Sequence, residues 1–273
     1  MIILCFGSTG RMANICSFAT RLIHPNAKYL THKRDGYFTG DVDKEKYLLF
    51  KDLVLDNSSQ EFLVIDASVD HSSLEAMVTH ESFKHDCIRW LSRNNLLLGC
   101  IGFSSGITLI KPNQITANAN HMLEYRHQKL KQEELFASLS CPIFLPKLFT
   151  VVGPLTYVKQ STAWAKILKA RVKSQPKTVL NDPHAYKAWA SEFEIFKQIL
   201  AFLNTDKSSN FTHPIVQGAF TLAGIAGSRL LPFPCLPFDQ GDTLSWLIGD
   251  YVPPLSMKNS YPIEDELLRV LNF

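Results

Sequence analysis

The chain opens with an apolar run, Ile2-Ile3-Leu4-Cys5-Phe6, that passes at once into Gly7-Ser8-Thr9-Gly10-Arg11-Met12-Ala13. A strand, a glycine turn and a helix start in immediate succession restrict the fold more than any other segment. The first glycine permits a tight turn, the second lets backbone approach a phosphate, and the small residue at 13 lets helix pack closely on strand. A helix beginning here offers free N–H groups and the positive end of its dipole to an anion. Gly7, Ser8, Thr9, Gly10, Arg11 and Met12 are therefore candidate ligands of a dinucleotide pyrophosphate. Taken alone, the motif also fits a simple glycine-rich turn.

The pattern downstream favours the first reading. Short apolar runs at Ile2–Phe6, Lys28–Thr31, Phe62–Ala67, Leu96–Phe103 and Ile143–Leu148 alternate with helical patterns at Arg11–Leu22, Lys44–Val54, Phe83–Arg93 and Leu123–Leu139. Such alternation is the mark of βαβ units around a parallel sheet, and continuous apolar runs suit strands buried on both faces. The expected class is α/β, a Rossmann-like doubly wound parallel sheet over residues 1–154. A smaller, mainly helical substrate lobe over 155–273 is expected to depend on it for folding. In that lobe Lys187–Leu203, Ile215–Leu230 and Glu264–Leu271 read as helices, separated by proline-rich loops such as Pro232–Pro237.

Composition narrows the function classes. The 273 residues are 46% hydrophobic and 19% charged, enough for a large core, and the net charge of +3 with no basic stripe argues against nucleic acid. No apolar run reaches about 18 residues, and the first strand lacks a basic flank, so neither a membrane span nor a signal peptide is expected. Six scattered cysteines without paired spacing read as reduced thiols of a cytoplasmic protein, and the histidines show no metal-binding spacing.

The candidate chemistry lies at Tyr125 and Lys129, about twenty residues after a strand-like segment ending Phe103-Ser104-Ser105. On a helix these two share a face, one turn apart. A free phenol has a pKa of about 10, and bringing it to about 7 requires roughly 4 kcal/mol of preference for the phenolate. One ammonium at ~5 Å supplies about 3 kcal/mol at an effective dielectric near 20. Ser105 is placed to hydrogen-bond a carbonyl or hydroxyl under conversion. In isolation Tyr-x-x-x-Lys is a common surface pattern, so the assignment rests on its place behind a serine-ended strand. Asn118 and His121, just before Tyr125, are candidates to line a substrate pocket, against the plainer reading of a solvated loop. At the tip of the second strand, Lys33 and Arg34 stand where an acidic residue would select unphosphorylated cofactor. A basic tip favours a 2′-phosphate and hence NADP over NAD, the competing reading being a solvated loop.

These stretches resemble the extended short-chain dehydrogenase/reductase family, whose members include enzymes of nucleotide sugars. The match runs in order through the glycine turn, Gly40-Asp41-Val42-Asp43, Leu63–Ala67, Ser104–Leu109, Tyr125–Glu133 and Lys147–Pro154. The resemblance implies Tyr125 as acid/base, Ser105 as its partner on the substrate oxygen, and Lys129 on the nicotinamide ribose. It also implies Asp41 and Val42 beside the adenine, and the Ala67 backbone near the cofactor ribose. The implied protein is an NAD(P)-dependent epimerase, dehydratase or reductase acting on a nucleotide sugar or related metabolite, with a homodimer as an allowed assembly. The alternative is a catalytically impaired NAD(P)-binding regulatory or scaffold protein. Departures include Lys84 and His85 where the family often has a supporting asparagine, Lys147 for arginine, and Thr150 for asparagine.

Overall fold

A computed structural model of the chain describes residues 1–7, 10–33, 37–40, 48–69, 71–115, 119–152, 178–179, 186–205, 210–216, 218–221 and 235–236. It divides into two compact units, the first made of Met1–Ser104, Glu124–Lys147 and Phe196–His213. The second comprises Ser105–Leu123, Leu148–Ile195 and Pro214–Phe273.

The first unit begins with β1 (Ile2–Phe6), α1 (Arg11–Ile23), β2 (Lys28–His32), β3 (Tyr37–Gly40), β4 (Leu48–Leu49) and α2 (Phe50–Asp56). It continues through β5 (Phe62–Asp66), α3 (Leu74–Arg93) and β6 (Leu97–Gly102). Beyond β7 (Ser104–Ser105) and two short 3₁₀ turns come α4 (Ala119–Ala137) and β8 (Ile143–Phe144). Seven strands form one sheet in the order β4-β3-β2-β1-β5-β6-β8. The five from β2 to β8 run parallel, while β3 and β4 add an antiparallel edge. Leu4 faces Leu30 on one side and Val64 on the other. Because β1 and β5 are buried at every position, their apolar runs need no alternation. Phe6, Phe38, Phe62, Phe136 and Phe144 fill the core.

The chain winds outward from β1 in one direction to β4, then in the other through β5, β6 and β8. The carboxyl end of β1 therefore lies at the topological switch point, where open α/β sheets leave a crevice for ligands.

Several expected boundaries move for identifiable reasons. The expected strand over 143–148 is cut at Leu145-Pro146 into β8 and β9 (Lys147–Leu148), since proline cannot donate to the ladder. The helix expected from Phe83 starts nine residues earlier, where Ser73 accepts the Ala76 N–H at 3.0 Å and caps α3. Of the helix expected over Lys44–Val54, residues 44–47 lie outside the described residues, and the helix begins at Phe50.

In the second unit, β10 (Thr150–Val152) pairs parallel with β12 (Tyr186–Ser191), which pairs antiparallel with β13 (Gly218–Thr221). A short pair joins β11 (Thr178–Val179) to β14 (Cys235–Leu236). The helix expected over Lys187–Leu203 is thus a strand followed by α5 (Glu192–Asn204). Alternate residues Ala188 and Ala190 are buried, the period of a strand, and Ser191 then accepts the Glu194 N–H at 3.1 Å. That bond starts the helix five residues later than expected. The helix expected over Ile215–Leu230 is likewise β13 at 218–221, with Pro214 and Gly218 disfavouring helix. Residues 222–230 and the expected helix at Glu264–Leu271 lie outside the described residues. No helix among the described residues is long and apolar enough to cross a membrane.

Candidate functional site

Gly7 adopts φ +88°, a conformation open to glycine and strained for other residues. A Cβ there would come within 2.3 Å of Ser68 Cβ and 3.0 Å of the Ala67 carbonyl. At Gly10 a Cβ would stand 3.3 Å from the Gly7 carbonyl, which accepts the Gly10 N–H at 2.9 Å. The turn is therefore closed on itself and against the segment that follows β5. Gly10 is the N-cap of α1 but supplies no side-chain cap, and the first turn carries no acidic residue. These features suit a pyrophosphate: backbone donors at a helix N-terminus, glycines at both ends of the turn, and no acidic residue in the first helical turn. Arg11 and Met12 open α1, half-buried. The Ala67 N–H bonds to the Phe6 carbonyl at 3.1 Å, which holds its backbone beside the turn. Ser8, Thr9, Arg34, Asp41, Val42 and Asn118 lie outside the described residues.

At the tip of β2, Lys33 is exposed, and its N–H is held by the Tyr37 carbonyl at 2.7 Å. The strand ends on His32, buried among Phe6, Phe38, Phe83 and His80 with ring centroids 5.0–5.5 Å away. Burial, then the neighbouring His80 and Lys84, lowers its pKa to about 4, so it is neutral near pH 7.

Tyr125 and Lys129 both lie on α4, as their spacing predicts. Tyr125 is half-buried and Lys129 only 6% exposed. The ammonium stands 5.9 Å from the centre of the Tyr125 ring. It donates to the Phe103 carbonyl at 2.8 Å and to Gln132 Oε1 at 3.0 Å, so its position is fixed from two sides. The His71 ring lies 5.4 Å from that of Tyr125. Glu133, four residues after Lys129, accepts from both the Ser104 hydroxyl and the Lys147 ammonium, tying α4 to the strand end.

Ser105 belongs to the second unit, where its hydroxyl accepts the Ile107 N–H at 3.4 Å at the start of a 3₁₀ turn. His121 is half-buried near the start of α4.

Behind Lys129 lies a charged cluster that sequence reasoning missed. Gln132 Nε2 donates to Asp66 Oδ2 at 2.6 Å. Lys84, fully buried on α3, donates to Asp66 Oδ1 at 2.5 Å and to the Ser68 carbonyl at 2.7 Å, and pairs with Glu81 at 2.8 Å. Burial alone would raise the Asp66 carboxyl, but Lys84 and then Lys129 outweigh it and hold the pKa below the usual range. Glu81 is raised instead, burial there prevailing over Lys84. Burial would lower the Lys84 ammonium, but Asp66 and Glu81 prevail and raise it. Two signals were available. A carboxylate ending the wholly apolar run Phe62–Ile65 requires a buried cation, and Gln132 shares the helix face of Tyr125 and Lys129 at i+7 and i+3.

No protein-family model matches the chain, and no curated protein does. Solved structures match along its whole length. UDP-glucose 4-epimerase from Thermotoga maritima, solved with UDP-glucose, is 11% identical with a TM-score of 0.65, covering 100% of this chain and 98% of the epimerase. GDP-L-fucose synthetase from Naegleria fowleri bound to NADP is 11% identical with a TM-score of 0.63, over 99% and 91% of the two chains. dTDP-glucose 4,6-dehydratase from Bacillus anthracis in complex with NAD is 10% identical with a TM-score of 0.63, over 100% and 96%. The chain shares the fold of these three enzymes over almost its whole length. With that fold, the glycine turn and α4 take their places in a known architecture, at sequence identities that speak for the architecture alone.

Proposed function

We propose that the protein is an NAD(P)-dependent oxidoreductase or epimerase acting on a hydroxyl or keto group of a nucleotide-linked sugar or related metabolite. The observation that carries this is Lys129, a buried ammonium held by the Phe103 carbonyl and Gln132 one helical turn from Tyr125. A long cation buried in this way loses both side-chain entropy and hydration, which a surface Tyr-x-x-x-Lys pattern does not require. The glycine turn supplies the second half of the argument, a phosphate cradle at the switch point.

The nicotinamide, when bound, supplies a hydride donor or acceptor at its C4 carbon. Gly7, Ser8, Thr9, Gly10, Arg11 and Met12 hold the pyrophosphate, Asp41 and Val42 flank the adenine, and the Ala67 backbone passes the ribose. Lys33 and Arg34 take a 2′-phosphate, which favours NADP. Lys129 binds the nicotinamide ribose and favours the phenolate, Tyr125 moves the proton to or from the substrate oxygen, and Ser105 hydrogen-bonds that oxygen. Asn118 and His121 border the substrate. Residues 1–154 carry the cofactor and 155–273 choose the substrate, in a cytoplasmic protein that a homodimer would suit.

Stopped-flow nicotinamide absorbance with a panel of sugar nucleotides, under single-turnover conditions, tests the reading. Tyr125→Phe should keep nucleotide affinity and lose about 10²–10⁴ in hydride-transfer rate. Wild-type transfer in that variant would remove Tyr125 from the chemistry. Nucleotide binding without transfer to any member of the panel would favour a regulatory protein of the same fold.

A further inference from the structure

Lys129 has two fixed partners, and one of them leads away from the glycine turn into the protein. Gln132 accepts from Lys129 at 3.0 Å through Oε1 and donates to Asp66 at 2.6 Å through Nε2. Both functions of the amide are used, and Gln132 is fully buried, so its orientation is set by chemistry: oxygen to ammonium, nitrogen to carboxylate. Asp66 is occupied on its other oxygen by Lys84, which also contacts Glu81. The carboxylate thus has its own buried counter-ion and is separated from Lys129 by an uncharged group. A direct Asp66–Lys129 pair would cancel the charge that the proposed role of Lys129 requires.

We infer that Gln132 is a positioning residue for Lys129, anchored by the buried Asp66–Lys84 pair, and that its neutral amide keeps the Lys129 ammonium from being neutralised by Asp66. This rests on the reading that Lys129 binds the cofactor ribose.

The test measures NADPH binding by full-length variants, using nucleotide fluorescence across pH, with circular dichroism as a check of folding. Gln132→Met fills similar space and makes neither bond. It should weaken NADPH about tenfold at every pH, the scale of one lost bond to a charged group. Gln132→Glu faces Asp66 from β5, Glu81, Lys84 and His85 from α3, and Lys129 on its own helix. Two adjoining carboxyls share a proton, and while they do the new side chain mimics the amide. That variant should bind nearly as wild type at about pH 6 and fall towards the Met variant by about pH 9, as the shared proton leaves and Lys129 becomes paired. A residue that only fills space would give a Met variant equal to wild type and a Glu variant without a pH trend, and either result overturns the inference. If Gln132→Met does not fold, Gln132→Asn replaces it with the same expected loss, being one methylene too short to span both partners. Lys129→Met separates the two layers. If it leaves NADPH affinity unchanged, the reading of Lys129 fails. If it weakens affinity while Gln132→Met does not, the positioning role alone fails.

Discussion

Acid should destabilise this fold as pH falls below the usual histidine range, because of two buried histidines. His32 sits in a cage of phenylalanines, and its Nε2 has no hydrogen-bond partner among the described residues. Burial, then His80 and Lys84, lowers it to about 4. His85 on α3 also reaches about 4, burial outweighing the attraction of Asp66, with Lys84, Arg89 and Lys129 adding to the depression. A group whose folded pKa lies below its unfolded value of about 6.5 contributes stability that is complete above that value and lost as pH falls towards the folded pKa. At pH 5 the unfolded chain is protonated at both rings and the folded chain at neither. Each histidine then removes about 2 kcal/mol relative to pH 7.5, together about 4 kcal/mol out of a typical 5–15. Glu81, raised above its usual value, acts in the opposite sense and returns part of this on acidification, while the lowered Asp66 counts only below about pH 4. Urea unfolding followed by tryptophan fluorescence between pH 7.5 and 5 should therefore show a loss of about 2–4 kcal/mol. His32→Phe should remove about half of that slope, whatever it does to stability at neutral pH. A midpoint that stays constant from pH 7.5 to 5 would refute the assignment of these rings as buried and neutral.

Gly7→Val and Gly10→Val should part company. The former forces a β-branched side chain into a positive-φ position 2.3 Å from Ser68 Cβ and should lose the fold as well as the nucleotide. Gly10→Val should stay folded and lose nucleotide affinity by calorimetry. Wild-type protein should bind NADPH more tightly than NADH, by roughly ten- to a hundredfold, with Arg34→Ala narrowing the gap; equal affinities would dismiss the basic-tip argument. Ser191→Ala, which deletes the side-chain acceptor at the start of α5, should cost about 1 kcal/mol in urea unfolding.

What the sequence made legible follows the range over which each feature is decided. β1 and the start of α1 are local: a continuous apolar run, then glycine, then a helix start, and the structure places both as expected. The parallel sheet follows from alternation along the chain, which short connections enforce. The segment 187–203 was misjudged because Ala, Trp and Glu tolerate helix, and the decision falls to β10 and β13 on either side, a partnership no local window contains. The charged cluster behind Lys129 was hidden for the same reason. Asp66 and Gln132 are 66 residues apart, and each alone looks ordinary.

The outer edge of β8 is closed by residues made much later. Asn210 accepts the Ile143 N–H at 3.1 Å, Leu145 and Phe211 bond through their backbones, and the rings of Phe202 and Phe211 lie 5.5 and 4.9 Å from that of Phe144. A ribosome that has just released residue 154 has therefore delivered the whole parallel sheet with one flank bare. At about 5–20 residues per second, several seconds pass before Phe211 has been added, and longer before it clears the exit tunnel. During that interval Phe144 and an unpaired strand are open to other chains, the condition under which edges aggregate. A chain ending at residue 154 should thus be retained by chaperones even though every strand of the sheet is present.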